Sequence, residues 1–305
     1  MRPQSLETRA IGRGEPGRSS GRYATPTPWV CTLAGVSRRG CGGGRTPLYR
    51  MSATSPVNSE LAARARAWHH RNQAAVCDVV TPWAHGTVVR ATRCPSYSAF
   101  NLVRVEDDPA LNVPALAYFT DQALAGLSHR RIDFDLSTAA GPLRERFAET
   151  GWKTKRLVWM RLHQASAPGR PHRVEDVSYD SVNELRIACE REELSGRDAV
   201  GSPGEAREIA LLRDARVLAV QHGGRQVGFA QLERDGSGAE ITRIYVHPEY
   251  RGAGRGTALT HAAIERAGDV RDVWISADDE GGPKGAYARL GFRPAWTTME
   301  FLRVS

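Results

Sequence analysis

Two spacings of apolar residues take turns along this chain from about residue 101 onward. Runs with every second position apolar, or short unbroken apolar runs, mark strands, whereas apolar positions three or four apart mark helices. By these spacings strands are predicted at 101–105, 131–135, 156–160, 174–179, 216–221, 226–234, 240–246, 270–276 and 297–304. Helices are predicted at 114–126, 181–192 and 257–267, and in a short stretch that ends near Tyr287. Gly223-Gly224 separates two of the strands and supplies a hairpin turn. Strands alternating with helices predict an α/β (α+β) fold built on mixed sheet.

The pattern occurs twice. At an offset of about 140 residues, 101–105 falls on 242–246, 114–126 on 256–268 and 131–135 on 271–275. Phe147-Ala-Glu-Thr-Gly-Trp152 falls in the same way on Tyr287-Ala-Arg-Leu-Gly-Phe292, and 156–160 on the closing strand. Ala167-Pro-Gly-Arg-Pro171 breaks any regular element between the copies. The expected organisation is a leader at 1–55 and two related units in tandem, at 56–166 and 172–305. The leader is rich in Gly, Arg, Ser and Pro and shows neither period, so it is expected to be disordered. Met51-Ser-Ala-Thr-Ser-Pro reads as an N-terminus in its own right, and translation is expected to begin there. The apolar patch at 29–36 is too short and too late for a secretion signal, so a cytoplasmic location is expected.

Composition narrows the classes. The net charge of +8 suggests a polyanion partner until it is located: residues 1–50 hold nine arginines and two acids, a surplus of seven. The predicted folded part is close to neutral, so no nucleic-acid partner is expected. No apolar run approaches the roughly 18 residues of a membrane span, so no membrane partner is expected either. Five cysteines, Cys31, Cys41, Cys77, Cys94 and Cys189, form no C-x-x-C pair. His69-His70 has no carboxylates at ligand spacing, and His247 and His261 read as loop and helix-face residues. No metal is expected.

The candidate chemistry sits at Arg251-Gly252-Ala253-Gly254-Arg255-Gly256, between a predicted strand and a predicted helix. Glycines let the backbone turn so that several N–H groups face one anion, and the helix N-terminus adds partial positive charge. Arginines on each side offer mobile cationic donors. The spacing is neither that of the P-loop nor that of the dinucleotide fold. With the Y-x-x-x-G-F ending at Tyr287 to Phe292 and the order of elements from about Arg173, it resembles the acyl-coenzyme A site of the GNAT N-acetyltransferases. The resemblance implies two GNAT-like mixed-sheet domains in tandem, a layout that resembles mycothiol synthases. In the family the strand before the loop splays from the next one, and the pantetheine arm lies in the gap. Where many relatives carry an Asn, and an Ala three residues on, this chain has Glu280 and Pro283.

By that resemblance the co-substrate is acetyl-CoA, held by Arg251, Gly252, Ala253, Gly254, Arg255 and Gly256 and along Ile244, Tyr245 and Val246. Glu240 is the expected base for the acceptor ammonium and Tyr287 the expected acid for the departing thiolate. A backbone N–H within 244–246 is expected to polarise the thioester carbonyl. In the first unit Glu106-Asp107-Asp108-Pro109 replaces the glycine turn and Phe147 the tyrosine, so no coenzyme is expected there. The expected activity is transfer of an acetyl group to a primary amine: an amino acid, an aminoglycoside-like or thiol-precursor amine, or a protein N-terminus or lysine. The alternative is a non-catalytic acyl-CoA sensor or interaction module. A covalent tandem replaces the dimer partner of single-unit relatives, so a monomer is expected.

Overall fold

The computed structural model describes residues 56–167, 172–193 and 202–304. The expected leader at 1–55 and most of the loop after the second unit's first helix lie outside the described residues. In the first half the elements are α1 (Pro56–Ala74), β1 (Val79–Trp83), β2 (Gly86–Arg90), β3 (Leu102–Val105), α2 (Val113–Ala123), β4 (His129–Phe134), α3 (Ser137–Ala140), α4 (Arg144–Glu149) and β5 (Lys153–Leu162). In the second half they are β6 (Val174–Val177), α5 (Asn183–Glu193), α6 (Pro203–Leu212), β7 (Arg216–His222), β8 (Arg225–Arg234), β9 (Gly238–Val246), α7 (Arg255–Ala267), β10 (Asp272–Asp278), α8 (Pro283–Arg289) and β11 (Phe292–Val304).

All strands join one mixed sheet in the order β1-β2-β3-β4-β11-β5-β10-β9-β8-β7-β6. Only β3 with β4 and β9 with β10 run parallel, each joined by one helix, α2 or α7, as a parallel crossover requires. The centre of the sheet is a reciprocal exchange. β11, the last strand of the second half, lies between β4 and β5 of the first. β5, the last strand of the first half, lies between β11 and β10 of the second. The ladder is continuous, and the strand order reads alike outward from the β11–β5 pair in both directions.

Two layers of helices cover the sheet. On one face α7 buries Leu259 and Ala263 against Ile241, Ile244, Val227 and Ile275. On the other, α1 lays Ala65 and Trp68 on Trp159, Trp274 and Trp296, so a helix of the first half covers strands from both. Gly238 permits that approach, since a Cβ there would stand 3.1 Å from the Trp68 ring and 3.0 Å from Asp272 O. α6 returns the exchange by placing Ile209 in a cluster with Val89, Phe100 and Leu102. Gly291, at φ 103°, lets the chain entering β11 pass under the backbone of Gln164, where a Cβ would be impossible.

Six elements go beyond the predicted list: α1, β1, β2, α3, α4 and α6. β1 and β2 form a hairpin at the sheet edge, and Pro82 is tolerated there because an outer strand needs no donor on its free side. α6 begins with Ser202 accepting a hydrogen bond from Glu205 N and Pro203 in its first turn, a capping pattern visible in the sequence.

Because β11 is paired on both edges by the other half, neither half closes its own sheet. Residues 56–167 and 172–305 expressed separately are expected to give no cooperative thermal unfolding, whereas the two expressed together co-purify and melt in one transition. A sharp melt from either piece alone would contradict the exchange.

Candidate functional site

The sheet opens where β9 leaves β10. Their parallel pairing runs from Asp272↔Gly238 to Ile275↔Ile241 and stops, although β9 continues along β8 to Val246 and β10 continues along β5 to Asp278. A β-bulge sets the divergence: Leu232 faces Ile241 and Gln231 faces Arg243, which leaves Thr242 unmatched. Ile241 and Ile244 are three residues apart yet share the core cluster under α7, so the alternation of the strand flips between them. Alternate backbone groups of residues 242–246 therefore face the gap with no strand partner. Ile244 and Val246 turn their side chains to the α7 core, whereas Tyr245 is buried on the other face with Leu185 and Phe229.

The glycine turn closes the head of this gap. Gly252 and Gly254 adopt φ of 80° and 85°, a region that side chains disfavour, and Gly254 is the N-cap of α7 without any side-chain cap. Ala258 N is the first amide to bond back, to Gly254 O at 3.0 Å. The amides of Arg255, Gly256 and Thr257 therefore have no acceptor within the helix and add to its positive end. His172 Nε2 donates to Ala253 O at 2.7 Å and braces the turn from outside.

The two arginines differ from the expected mobile donors. Arg251 Nε donates to Val246 O at 2.8 Å, its Nη2 to Glu192 Oε2 at 2.6 Å, and its guanidinium lies 5.6 Å from the Tyr245 ring centre. Arg255 Nη1 donates to Tyr250 O at 2.8 Å, and its Nη2 stands 3.2 Å from His222 Nδ1. Both are pinned where they shape the turn, and their charges remain beside the helix N-terminus.

On the sheet face opposite α7 a pocket of about 490 Å³, counting its solvent-open part, ends at the point of divergence. Thr242 and Ser276 form that end; His69 and Asn72 of α1, Trp159 of β5, Arg131 of β4, Glu300 of β11, and Arg213 complete the walls with Glu240. Glu240 is not a solvated strand-end residue: it is 6% exposed, and its Oε2 accepts from Trp68 Nε1 at 2.9 Å, Asn72 Nδ2 at 2.8 Å and Arg213 Nη2 at 3.4 Å. Arg213 also pairs with Glu233, which accepts from Gln231 and Thr242. Burial, opposed by Arg213 and reinforced by Glu240, raises the Glu233 carboxyl to about 7. Arg131 is shared between Asp133 at 2.7 Å and Glu300 at 2.7 Å.

Tyr287 is fully buried in the cluster that holds Ile244 and Val246, with its ring 6.3 Å from that of Phe292. Glu280, at the position where relatives carry an Asn, is bound by Arg144 of α4 at 2.5 and 2.8 Å and so ties the halves together. His70 Nε2 lies 2.9 Å from Asp135 Oδ2. Among the described residues no three His, Cys, Asp or Glu side chains cluster as a metal site would require. The sequence reading missed Trp68, His69, Asn72 and Arg213. Sequence spacing gives no sign that a helix about 170 residues upstream of β9 delivers two of them, Trp68 and Asn72, to Glu240.

The first half closes at every equivalent point. β3 and β4 stay paired through Val105↔Phe134, and Asp135 N then donates to Val105 O at 2.9 Å, so no gap forms. The N-terminus of α2 is already capped by Asn112 Oδ1, which accepts from Ala115 N at 3.0 Å. Phe147 fills the tyrosine position and stacks on Phe301 at 4.2 Å.

Residues 213–294, from the end of α6 to the start of β11, match the family model of the acetyltransferase (GNAT) domain. Over those residues the chain is similar to the GNAT acetyltransferases. It is 34% identical over 94 residues to an uncharacterised N-acetyltransferase of Mycobacterium bovis, across 29% of this chain and 60% of that protein. It is 32% identical over 116 residues to the mycothiol acetyltransferase of Streptomyces coelicolor, across 35% of this chain and 37% of that one. The matched segments thus span less than two thirds of either relative. A solved GCN5-related N-acetyltransferase from Kribbella flavida is similar in fold at 16% identity, with a TM-score of 0.52 over 79% of this chain and 94% of that one, so the GNAT-like fold extends over both halves.

The raised Glu233 carboxyl makes stability depend on pH. The folded protein keeps that proton up to about pH 7, whereas the unfolded chain releases it near 4.5, so the carboxyl's contribution falls as pH rises through that window. Glu233→Gln cannot ionise. Between about pH 5 and about pH 8, the urea-unfolding stability of Glu233→Gln relative to the unaltered protein is expected to shift in the variant's favour. An unchanged difference would contradict the assignment.

Proposed function

We propose that this chain is an acetyl-CoA-dependent N-acyltransferase that moves an acetyl group to a primary amine by direct attack on the thioester. The observation that carries this reading is the meeting of three features at one place: the open edge of residues 242–246, the uncapped glycine turn at α7, and a polar pocket ending at Thr242 and Ser276. The thioester supplies an activated acetyl group when bound. The amides of the turn fit a pyrophosphate, with Arg251 and Arg255 adding charge, and the edge of Ile244, Tyr245 and Val246 fits a pantetheine arm that bonds like an added strand. One of those edge amides serves as the donor to the carbonyl oxygen, a role typically worth about 3 kcal/mol of transition-state stabilisation.

Glu240 receives the acceptor's ammonium in the pocket. Tyr287, packed against the same strand, gives its phenolic proton to the departing thiolate. In this reading 172–305 is the catalytic unit and 56–166 a degenerate unit that does not take coenzyme but walls the pocket, so the protein acts as a monomer. The likeness to a mycothiol acetyltransferase supports testing thiol-precursor amines first, then amino acids, amino sugars and protein N-termini or lysines.

Calorimetry with coenzyme A and thiol release with acetyl-CoA plus an amine library test the reading. Gly254→Asp, which adds bulk and negative charge at the anion turn, is expected to weaken coenzyme binding at least a hundredfold, about 3 kcal/mol. Tyr287→Phe is expected to lower kcat by roughly ten- to a hundredfold while coenzyme affinity stays the same. Tight coenzyme binding with no thiol release on any amine would favour a non-catalytic binding module instead. Equal turnover in Tyr287→Phe would remove that residue from the chemistry.

A further inference from the structure

His69 stands in the wall of the acceptor pocket, and its ring makes no hydrogen bond among the described residues. The ring packs at a tilt against two indoles, 4.9 Å from the Trp159 centre and 5.9 Å from the Trp296 centre, which position it while leaving its nitrogens available. Three residues on along α1, Asn72 donates to Glu240. Residues at this spacing share one helix face, so imidazole and carboxylate are presented to the same cavity.

Every other charged group around the ring is already engaged. Arg131 is held by Asp133 and Glu300, Arg213 by Glu233 and Glu240, Arg104 by Gln73 and Glu106, and His70 by Asp135. Burial first, and then Arg104, His70, Arg131 and Arg213, hold the imidazole well below its usual range, so it is neutral at pH 7. The same guanidiniums disfavour a second cation in the pocket and so lower the proton affinity of a bound amine, which narrows the gap between donor and acceptor. Three donors, in contrast, already converge on one oxygen of Glu240.

We propose that His69 takes the proton of the acceptor's ammonium, with Glu240 orienting that ammonium beside it. The proposal rests on the acyltransferase reading above and refines the role expected of Glu240. In the step, one N–H proton passes to the free imidazole nitrogen and leaves a neutral amine. The amine lone pair forms the C–N bond as the C–S bond breaks, Tyr287 protonates the thiolate, the second amine proton restores the phenol, and the imidazolium returns its proton to water. The catalytic base then comes from the half of the chain that does not take coenzyme.

Thiol release with acetyl-CoA and glucosamine, tyramine or lysine, followed from about pH 5.5 to about pH 9, tests this. In the unaltered protein kcat is expected to reach a plateau by neutral pH. His69→Gln is expected to lower kcat at pH 7 by on the order of a hundredfold, with coenzyme affinity and melting temperature retained and no plateau, the rate rising with pH throughout. His69→Ala is expected to recover part of the loss when imidazole is added, whereas Glu240→Gln raises KM. Independently of any variant, the imidazole resonances of His69 are expected to report a neutral ring at pH 7 and to move when an accepted amine joins the coenzyme-loaded protein. A His69→Gln enzyme that keeps the wild-type profile and a kcat within about threefold, or an imidazole that stays protonated at pH 7, overturns the proposal while the acyltransferase reading stands. If the wild type binds coenzyme A but acetylates none of the three amines, the transferase reading fails first and takes this proposal with it.

Discussion

Hydrogen bonding along both edges of β11 is the constraint on which the rest of the molecule depends. With β4 on one side and β5 on the other, β11 makes the two halves a single ladder, and β5 repeats the exchange against β10. That ladder brings Arg131, Trp159, Ser276 and Glu300 from four different strands onto one floor. α1 can then roof that floor from the first half and tie Trp68 and Asn72 to Glu240 of the second. The pocket therefore belongs to neither half, and its shape is set by backbone pairing some distance from any reacting atom.

The two halves share a topology and differ in a few local decisions with large consequences. One unmatched residue, Thr242, separates β9 from β10, whereas β3 and β4 stay zipped to their ends. One side chain, Asn112, satisfies the start of α2, whereas Gly254 leaves the start of α7 open to an anion. The first half buries Phe147 where the second buries Tyr287. The first half contributes structure to the second: Arg144 secures Glu280, and α1 walls the pocket beside Glu240.

Much of this was legible in the sequence because it is local. The period-two runs placed nine strands near their observed positions, and the repeat announced a doubled GNAT-like architecture. The glycine spacing at 252–256 marked a turn that the observed positive φ values require. What was not legible is what sequence distance conceals. No spacing reveals that β11 inserts between β4 and β5, because a strand's alternation is the same whichever neighbour it pairs with. His69 and Trp68 lie in an arginine-rich helix whose sequence marks no clear apolar face, and only tertiary packing against a tryptophan cluster gives that helix a side. Arg251 and Arg255 looked like ligand donors because their partners, Glu192, Val246 O and Tyr250 O, are brought to them by the folded turn.

Amide-resolved hydrogen exchange with and without coenzyme A tests the central claim most directly, because it reads the open edge and the turn themselves. The account predicts that coenzyme A slows exchange at amides within 242–246 and 252–257 and leaves 102–115, the matching segment of the closed half, unchanged. Slowing confined to the first half, or no slowing at either segment at saturating coenzyme, would contradict it.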